Sequence, residues 1–320
     1  MPESTFEICA EYGNDDLAKV FVAKISDPKD CYIEFLESVQ RPVPREKKWV
    51  LIVSTLAGCP VKCLMCDANA QPGTRLSFDT IMRQIDYLIT RRYPDRNVPV
   101  EKFKVQFARM GDPALNPAVL YALSALPTRY NAPGLLPCIS TVAPKASADF
   151  LDKLIEVKNQ HYSGGRFQMQ FSVHSTSERE RDLLMPLPKL SLAELGEYGE
   201  RFYAPGDRKI TLNFAPAYGF ELSPLKLRTY FKPELFLIKL TPINPTRNRV
   251  KNALTSVVKG ERPESAAKIV EAFERAGYEV LLSIGDLEEN DIMSNCGQFA
   301  TQFTAEAGSP CVNYMMQPDP

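Results

Sequence analysis

The sequence predicts an α/β fold built on a parallel sheet, and three observations carry that prediction. Short apolar runs of strand character recur at 49–55, 102–108, 137–141, 166–173, 209–215, 234–240 and 278–284. Segments with helical spacing or helix-capping residues fall between them. The chain has 320 residues, 44% hydrophobic and 24% charged, enough for one large domain or two small ones. Such alternation belongs to a barrel or an open doubly wound sheet, and in both the sites lie at the C-terminal ends of the strands.

Taken in order, residues 1–48 hold two short extended runs, 21–25 and 32–36, and then a Pro- and charge-rich link over 41–48. They read as a small β appendage with a solvated linker. The segment 78–92 carries Ile81, Ile85, Leu88 and Ile89 on one face with Ser77 as N-cap. Asn116-Pro117 starts a second helix, with Pro at the first helical position, and 148–157 follows Ser147 as a third. Ser191 and Glu194 form a capping box opening a stretch to about 203. Ser223-Pro224 starts another helix, and 264–276 is amphipathic and closed by Gly277. Gly164-Gly165 lies in a turn without phosphate-loop context. The divisions expected are 1–48, a main domain over 49–300, and a tail over 301–320.

The net charge of −1 gives no support to a basic nucleic-acid footprint. No apolar run approaches a membrane span, and the N-terminus lacks the basic and apolar regions of a signal peptide. The expected setting is a reducing cytoplasm.

The chemistry concentrates in one loop. Cys59, Cys63 and Cys66 follow the strand run 49–55 with C-x3-C-x2-C spacing. Three thiolates on a tight loop can hold three irons of a cubane cluster. A [4Fe–4S] cluster normally takes four, so the fourth iron stays open for a small molecule to chelate. The competing readings are a zinc site, which wants four ligands, and inert thiols. His161 and His174 show no paired zinc-ligand spacing, and Cys9, Cys31 and Cys138 read as buried small apolar residues.

These residues resemble the radical S-adenosylmethionine superfamily, and within it the RlmN/Cfr branch, which methylates an adenine ring carbon in RNA. The likeness runs from residue 49 to about 300. It includes Gly58 before Cys59, Met110-Gly111-Asp112-Pro113 with Asn116, and Ser140-Thr141 at a strand end. It continues through Ser172-Val173-His174, Leu184-Met185-Pro186, Pro242-Ile243-Asn244-Pro245, and the segment from Asp291 through Cys296 to Gln298. The resemblance implies a partial (β/α)6 barrel with a short N-terminal β extension. It implies a [4Fe–4S] cluster on Cys59, Cys63 and Cys66, with S-adenosylmethionine on the open iron. Gly111, Asp112, Pro113, Ser140, Ser172, His174 and Asn244 are the cofactor-binding residues it suggests. Cys296 would carry a methyl group taken from one S-adenosylmethionine, and a radical from a second would activate it for addition to a ring carbon. An electron donor such as flavodoxin or ferredoxin is implied as partner.

The chain departs from that pattern in four places. Ile52 stands seven residues before Cys59, where the branch has a second catalytic cysteine that resolves the product through a disulfide. Either another thiol substitutes, with Cys311 the first candidate and Cys31 the second, or the adduct is resolved differently, or the reaction is not the branch's methylation. Asp112 replaces a glutamate, residues 1–48 are too short for the branch's helical RNA-binding appendage, and 282–292 is acidic where the branch is basic. Negative charge beside Cys296 repels phosphates. The expected activity is therefore radical methyl transfer to RNA adenine or to a non-RNA acceptor. The alternatives are a radical enzyme of another reaction class on a small molecule, or a cluster-bearing binding protein.

Overall fold

The computed structural model describes residues 5–70, 72–295 and 299–300. Its strands are β1 (Phe6–Gly13), β2 (Ala18–Ile25), β3 (Cys31–Val39), β4 (Lys48–Val53), β5 (Leu56–Gly58), β6 (Pro72–Arg75), β7 (Lys102–Phe107), β8 (Leu135–Thr141), β9 (Gln168–Ser172), β10 (Ile210–Phe214), β11 (Phe236–Leu240) and β12 (Val280–Leu282). The helices are α1 (Phe78–Thr90), α2 (Ala118–Arg129), α3 (Ala148–His161), α4 (Glu178–Leu184), α5 (Leu192–Phe202), α6 (Pro224–Arg228), α7 (Arg247–Lys251), α8 (Ala267–Arg275) and α9 (Glu288–Asp291).

Ten strands form one sheet in the order β1-β2-β3-β4-β7-β8-β9-β10-β11-β12, and β5 pairs with β6 in a separate ribbon. Within the large sheet, β4, β7, β8, β9, β10, β11 and β12 pair parallel with one another in that order. The parallel α/β architecture expected from the alternation is present. Side chains from six of the parallel strands, including Ile52, Gln106, Cys138, Gln170, Asn213 and Lys239, line a single cavity. The sheet therefore curves around that space, yet its linear strand order leaves it unclosed.

The helices follow their sequence signals. Ser77 Oγ accepts from Thr80 N, and α1 buries Ile81, Ile85, Leu88 and Ile89. The capping box of Ser191 and Glu194 is formed, and Ser223 caps α6. Two details differ. Pro117 occupies the N-cap of α2 rather than its first turn, and Asn116 Oδ1 accepts from Ala118 N in its place. Ser147 makes no cap bond to α3; its hydroxyl donates to Pro144 O instead.

The N-terminal strands are an extension of the main sheet. β3 pairs antiparallel with β4, with Leu36 opposite Ile52. A third strand, β1, precedes the two expected runs. Its exposure alternates residue by residue, so Cys9 faces solvent instead of the core. Cys31 is half-buried, and only Cys138 of the three lone cysteines is fully buried.

The chain after β12 crosses back to this N-terminal unit. Arg41 pairs with Asp286 at 2.9 Å and Glu288 at 3.0 Å, so part of the acidic segment is neutralised. Tyr12 stacks on Phe299 with centroids 3.8 Å apart. The strongest tie is buried. Arg109, just past β7, donates to the carbonyls of Met293 (2.6 Å), Ser294 (2.8 Å) and Asn295 (3.3 Å). Its Nε faces Glu34 Oε1 at 2.7 Å without hydrogen-bond alignment, with side-chain exposures of 2% and 0%. Glu34 Oε2 accepts from Ala300 N at 2.8 Å. Burial pushes the Glu34 carboxyl up, and Arg109 opposes that push.

Removing one partner strands the other charge in the interior, at about 3–5 kcal/mol. Arg109→Met and Glu34→Gln should each destabilise the fold by that amount in urea melts, with the double variant losing less than the sum. A loss near 1 kcal/mol or below, the range of exposed pairs, would show that the pair does not hold the segment.

Candidate active site

The cysteine loop is seated where the strand ends meet a second apolar cluster. Val61, Val142, Leu184, Met185, Ala215 and Ile243 form that cluster, with Cys59, Cys63, Leu64 and Met65 packed against it. The β5–β6 ribbon carries the loop away from β4. Thr55 N and Leu56 N both donate to Met110 O, at 2.9 and 3.0 Å, which brings the loop base against Gly111. Gly111 has φ +87°, and a Cβ there would sit 2.4 Å from the Leu56 side chain. Only glycine allows this contact.

Backbone donors surround the sulfurs. The amides of Val61, Asp112 and Lys62 draw the Cys59 thiol down, while burial pushes it up further, to about 11. Burial and the neighbouring Cys66 and Cys59 raise Cys63. Ala68 N donates to Cys66 Sγ at 3.4 Å. The far side of the loop is held by the chain around α7. Thr246 Oγ1 donates to Met65 O (2.7 Å) and Asn248 Nδ2 to Cys66 O (2.7 Å). Asp67 accepts from Arg247 N (3.0 Å) and Asn248 N (2.9 Å), capping the helix start. Leu64 N donates to Leu184 O at 2.9 Å.

The loop overlooks a cavity of about 370 Å³ lined by Cys59, Cys63, Cys66, Gly111, Asp112, Ser140, Ser172, His174, Asn213 and Asn244, among others. Six of the seven expected cofactor-binding residues are therefore on its wall. Pro113 is not; it is buried in the turn over Pro113–Leu115. Asn116 also points elsewhere. Its Nδ2 donates to Thr55 O and Leu76 O, each at 2.8 Å, so it fastens the loop base to the start of α2.

Asp112 is fully engaged from below. Oδ1 accepts from Thr141 Oγ1 (2.6 Å) and Ala114 N (3.0 Å), and Oδ2 from Val142 N (2.8 Å). Burial raises its carboxyl to about 6 against the pull of these donors. His174, at φ +64°, accepts from Ala215 N through Nδ1 at 3.2 Å. Burial, with Arg181 nearby, lowers it to about 4. The ring is neutral at pH 7, and its proton sits on Nε2.

A second cavity of about 550 Å³ shares Asn244 and Asn295 with the first. Asn295 lies on both walls and directly precedes Cys296. Cys296 and Cys311 themselves lie outside the described residues. Among the described residues, no three His, Cys, Asp or Glu side chains converge on a point that one ion could fill. A cubane asks for something else: three thiolates, each on its own iron, and one loop with amides directed at its sulfurs fits that demand.

No family model matches the chain. The probable dual-specificity RNA methyltransferase RlmN of Chlorobium phaeobacteroides (strain DSM 266) is 26% identical over 277 residues, which cover 83% of this chain and 70% of that protein. The dual-specificity RNA methyltransferase RlmN of Buchnera aphidicola is 28% identical over 148 residues, 45% of this chain and 38% of that protein. The chain resembles RlmN proteins. A radical SAM methyltransferase from Sphaerobacter thermophilus shares the fold, with a TM-score of 0.71 at 20% identity over 94% of this chain and 83% of that one.

Set against the RlmN pattern, Ile52 is on the cavity wall, so the place of the missing thiol is apolar. Cys31, opposite Ile25 at the start of β3, is not among the cavity-lining residues. Cys138 is, which the sequence reading missed; the period-two spacing Cys138–Ser140 was its signal. Arg109 and Glu34 were missed as well, although a carboxylate inside the run 32–36 marked Glu34 as unusual. Among the described residues no helix is long and apolar enough to cross a membrane.

Gly111→Ala should cost about 2 kcal/mol or more from the left-handed backbone and the Leu56 collision. It should also weaken S-adenosylmethionine binding in calorimetry, whereas alanine at Gly219, with φ +84° but nothing within 4 Å of a Cβ, should cost only the backbone part and leave that binding unchanged. For His174 the folded form binds its proton less readily than the unfolded form, at about 4 against 6.5. Its stability contribution is complete above pH 6.5 and is lost as pH falls toward 4. Melting curves should accordingly show a smaller acid-induced loss between these values for His174→Gln than for wild type.

Proposed function

We propose that this protein is a radical S-adenosylmethionine C-methyltransferase of RlmN/Cfr type. The observation that carries the reading is one cavity that gathers the cysteine loop, Asp112, His174, Asn244 and Asn295, the residue next to Cys296. Cys59, Cys63 and Cys66 would hold the [4Fe–4S] cluster. When bound, the cluster and the S-adenosylmethionine on its open iron supply a carbon radical able to take hydrogen from an unactivated C–H bond.

The chain's own residues would do the rest. Asp112 offers a carboxylate, ionised above about pH 6, to an ammonium group. His174 presents a neutral Nε2–H donor. Ser140, Ser172 and Asn244 supply the remaining polar contacts. Cys296 loses its proton to solvent and, as thiolate, takes a methyl group from a sulfonium, which leaves as the neutral thioether. An amidine carbon is too poor a nucleophile for that polar route, which is why a carrier and a radical are required. Ile52 cannot form a disulfide, so release falls to Cys311 or to another path. The relatives are named methyltransferases, which does not favour a different radical reaction. They are named for RNA, and RNA adenine or a non-RNA molecule is the acceptor. Flavodoxin or ferredoxin is the electron donor this chemistry calls for.

Anaerobic reconstitution should load about four irons per chain, and each of Cys59→Ala, Cys63→Ala and Cys66→Ala should abolish both loading and S-adenosylmethionine cleavage. Mass spectrometry should find one added methyl on the Cys296 peptide. A zinc-only protein, or a Cys296 that stays unmodified after incubation with cofactor, would contradict the proposal.

A further inference from the structure

The cavity continues below the cysteine loop to Lys104 of β7 and Lys239 of β11. Lys104 lies three residues before the end of β7, about 10 Å down the strand. It is 9% exposed, faces the cavity, and makes no hydrogen bond or ion pair among the described residues. A buried ammonium without a partner is costly to the fold, and two further lysines, Lys48 and Lys102, stand near it. Burial, then Lys104 and Lys102, push Lys48 down to about 8. Burial, Lys104 and Arg208 lower Lys102. Lys239 stands on the same wall, its Nζ 3.5 Å from Gln170 Oε1. Among the described residues Asp112 is the only acid on the cavity wall, and it sits at the cysteine-loop end, where Thr141, Ala114 and Val142 donate to it.

We propose that the floor of the barrel is an anion site, in which Lys104 and Lys239 receive the carboxylate or phosphate of a small substrate whose body extends up toward the cysteine loop. The proposal rests on reading the cavity as the active site and names the substrate class: a small anionic acceptor. A base of a long RNA would bring a neutral ring to this floor and leave its phosphates outside, so the lysines favour the small molecule.

The test is calorimetry on the anaerobically reconstituted enzyme with S-adenosylmethionine bound, using inorganic phosphate, malonate and a short adenine-containing RNA as probes. Phosphate or malonate should bind at one site, and which of the two binds more tightly tells phosphate from carboxylate. Lys104→Met and Lys104→Gln should each weaken that binding at least tenfold, Lys104→Arg should retain it, and Lys104→Met should melt no lower than wild type. No anion binding by wild type, or equal binding by the Met and Gln variants, overturns the proposal. So does competition between the anion and S-adenosylmethionine, which would give Lys104 to the cofactor carboxylate. RNA binding without anion binding overturns it too. Cys296 methylation, measured on the same samples, reads the methyl-transfer proposal separately: methylation without anion binding refutes only the anion site, and the reverse refutes only methyl transfer.

Discussion

The buried pair of Glu34 and Arg109 is the constraint on which the site depends. It joins three parts of the chain that are far apart in sequence: β3, the turn after β7, and the segment that follows α9. Without it the segment after β12 would keep only its outer ties, the Arg41 pairs and the Tyr12–Phe299 stack. With it, residues 293–295 are drawn across the open side to the wall shared with the cysteine loop. A buried ion pair rarely adds stability over a well-packed apolar substitute. Its use here is geometric, because the guanidinium fixes three successive carbonyls that apolar packing could not hold in register.

The cysteine loop obeys a similar logic on the other side. It has no regular structure of its own between β5 and the turn at Asp67–Ala70. Its shape comes from donors and acceptors supplied by neighbours: Met110 O at the base, Leu184 O and the residues around α7 along the rim. Met110 and Leu184 belong to the Met-Gly-Asp-Pro and Leu-Met-Pro stretches that carry the family resemblance, and Thr246 directly follows Pro-Ile-Asn-Pro. Asn244 of that last stretch faces the cavity.

Much of this was legible in the sequence. The parallel strands followed from apolar runs, and the helix starts at Ser77, Ser191 and Ser223 followed from side chains that can cap only one way. The first strand escaped because Glu7, Cys9 and Glu11 alternate with modest apolar partners, a pattern that reads as a sheet only once β2 is beside it. The continuity of β3 with β4 could not be read, since strand pairing leaves no local mark. Asn116 was legible as important, but its backbone staple could not be distinguished from a cofactor contact. Lys104 and Lys239 left no mark in the sequence, because the curvature that turns their face of the sheet toward the cavity has no local signal.

The proposal at the centre of this account is that Cys59, Cys63 and Cys66 hold a cluster and that Cys296 works beside it. Electron–nuclear double resonance on the reduced, reconstituted enzyme, with the Cys296 methyl carbon labelled with carbon-13, tests it most directly. The account predicts a resolved coupling between the cluster spin and the labelled carbon, lost in Arg109→Met, where the segment is no longer held. A cluster spectrum with no such coupling, from protein whose label is verified by mass spectrometry, would contradict it.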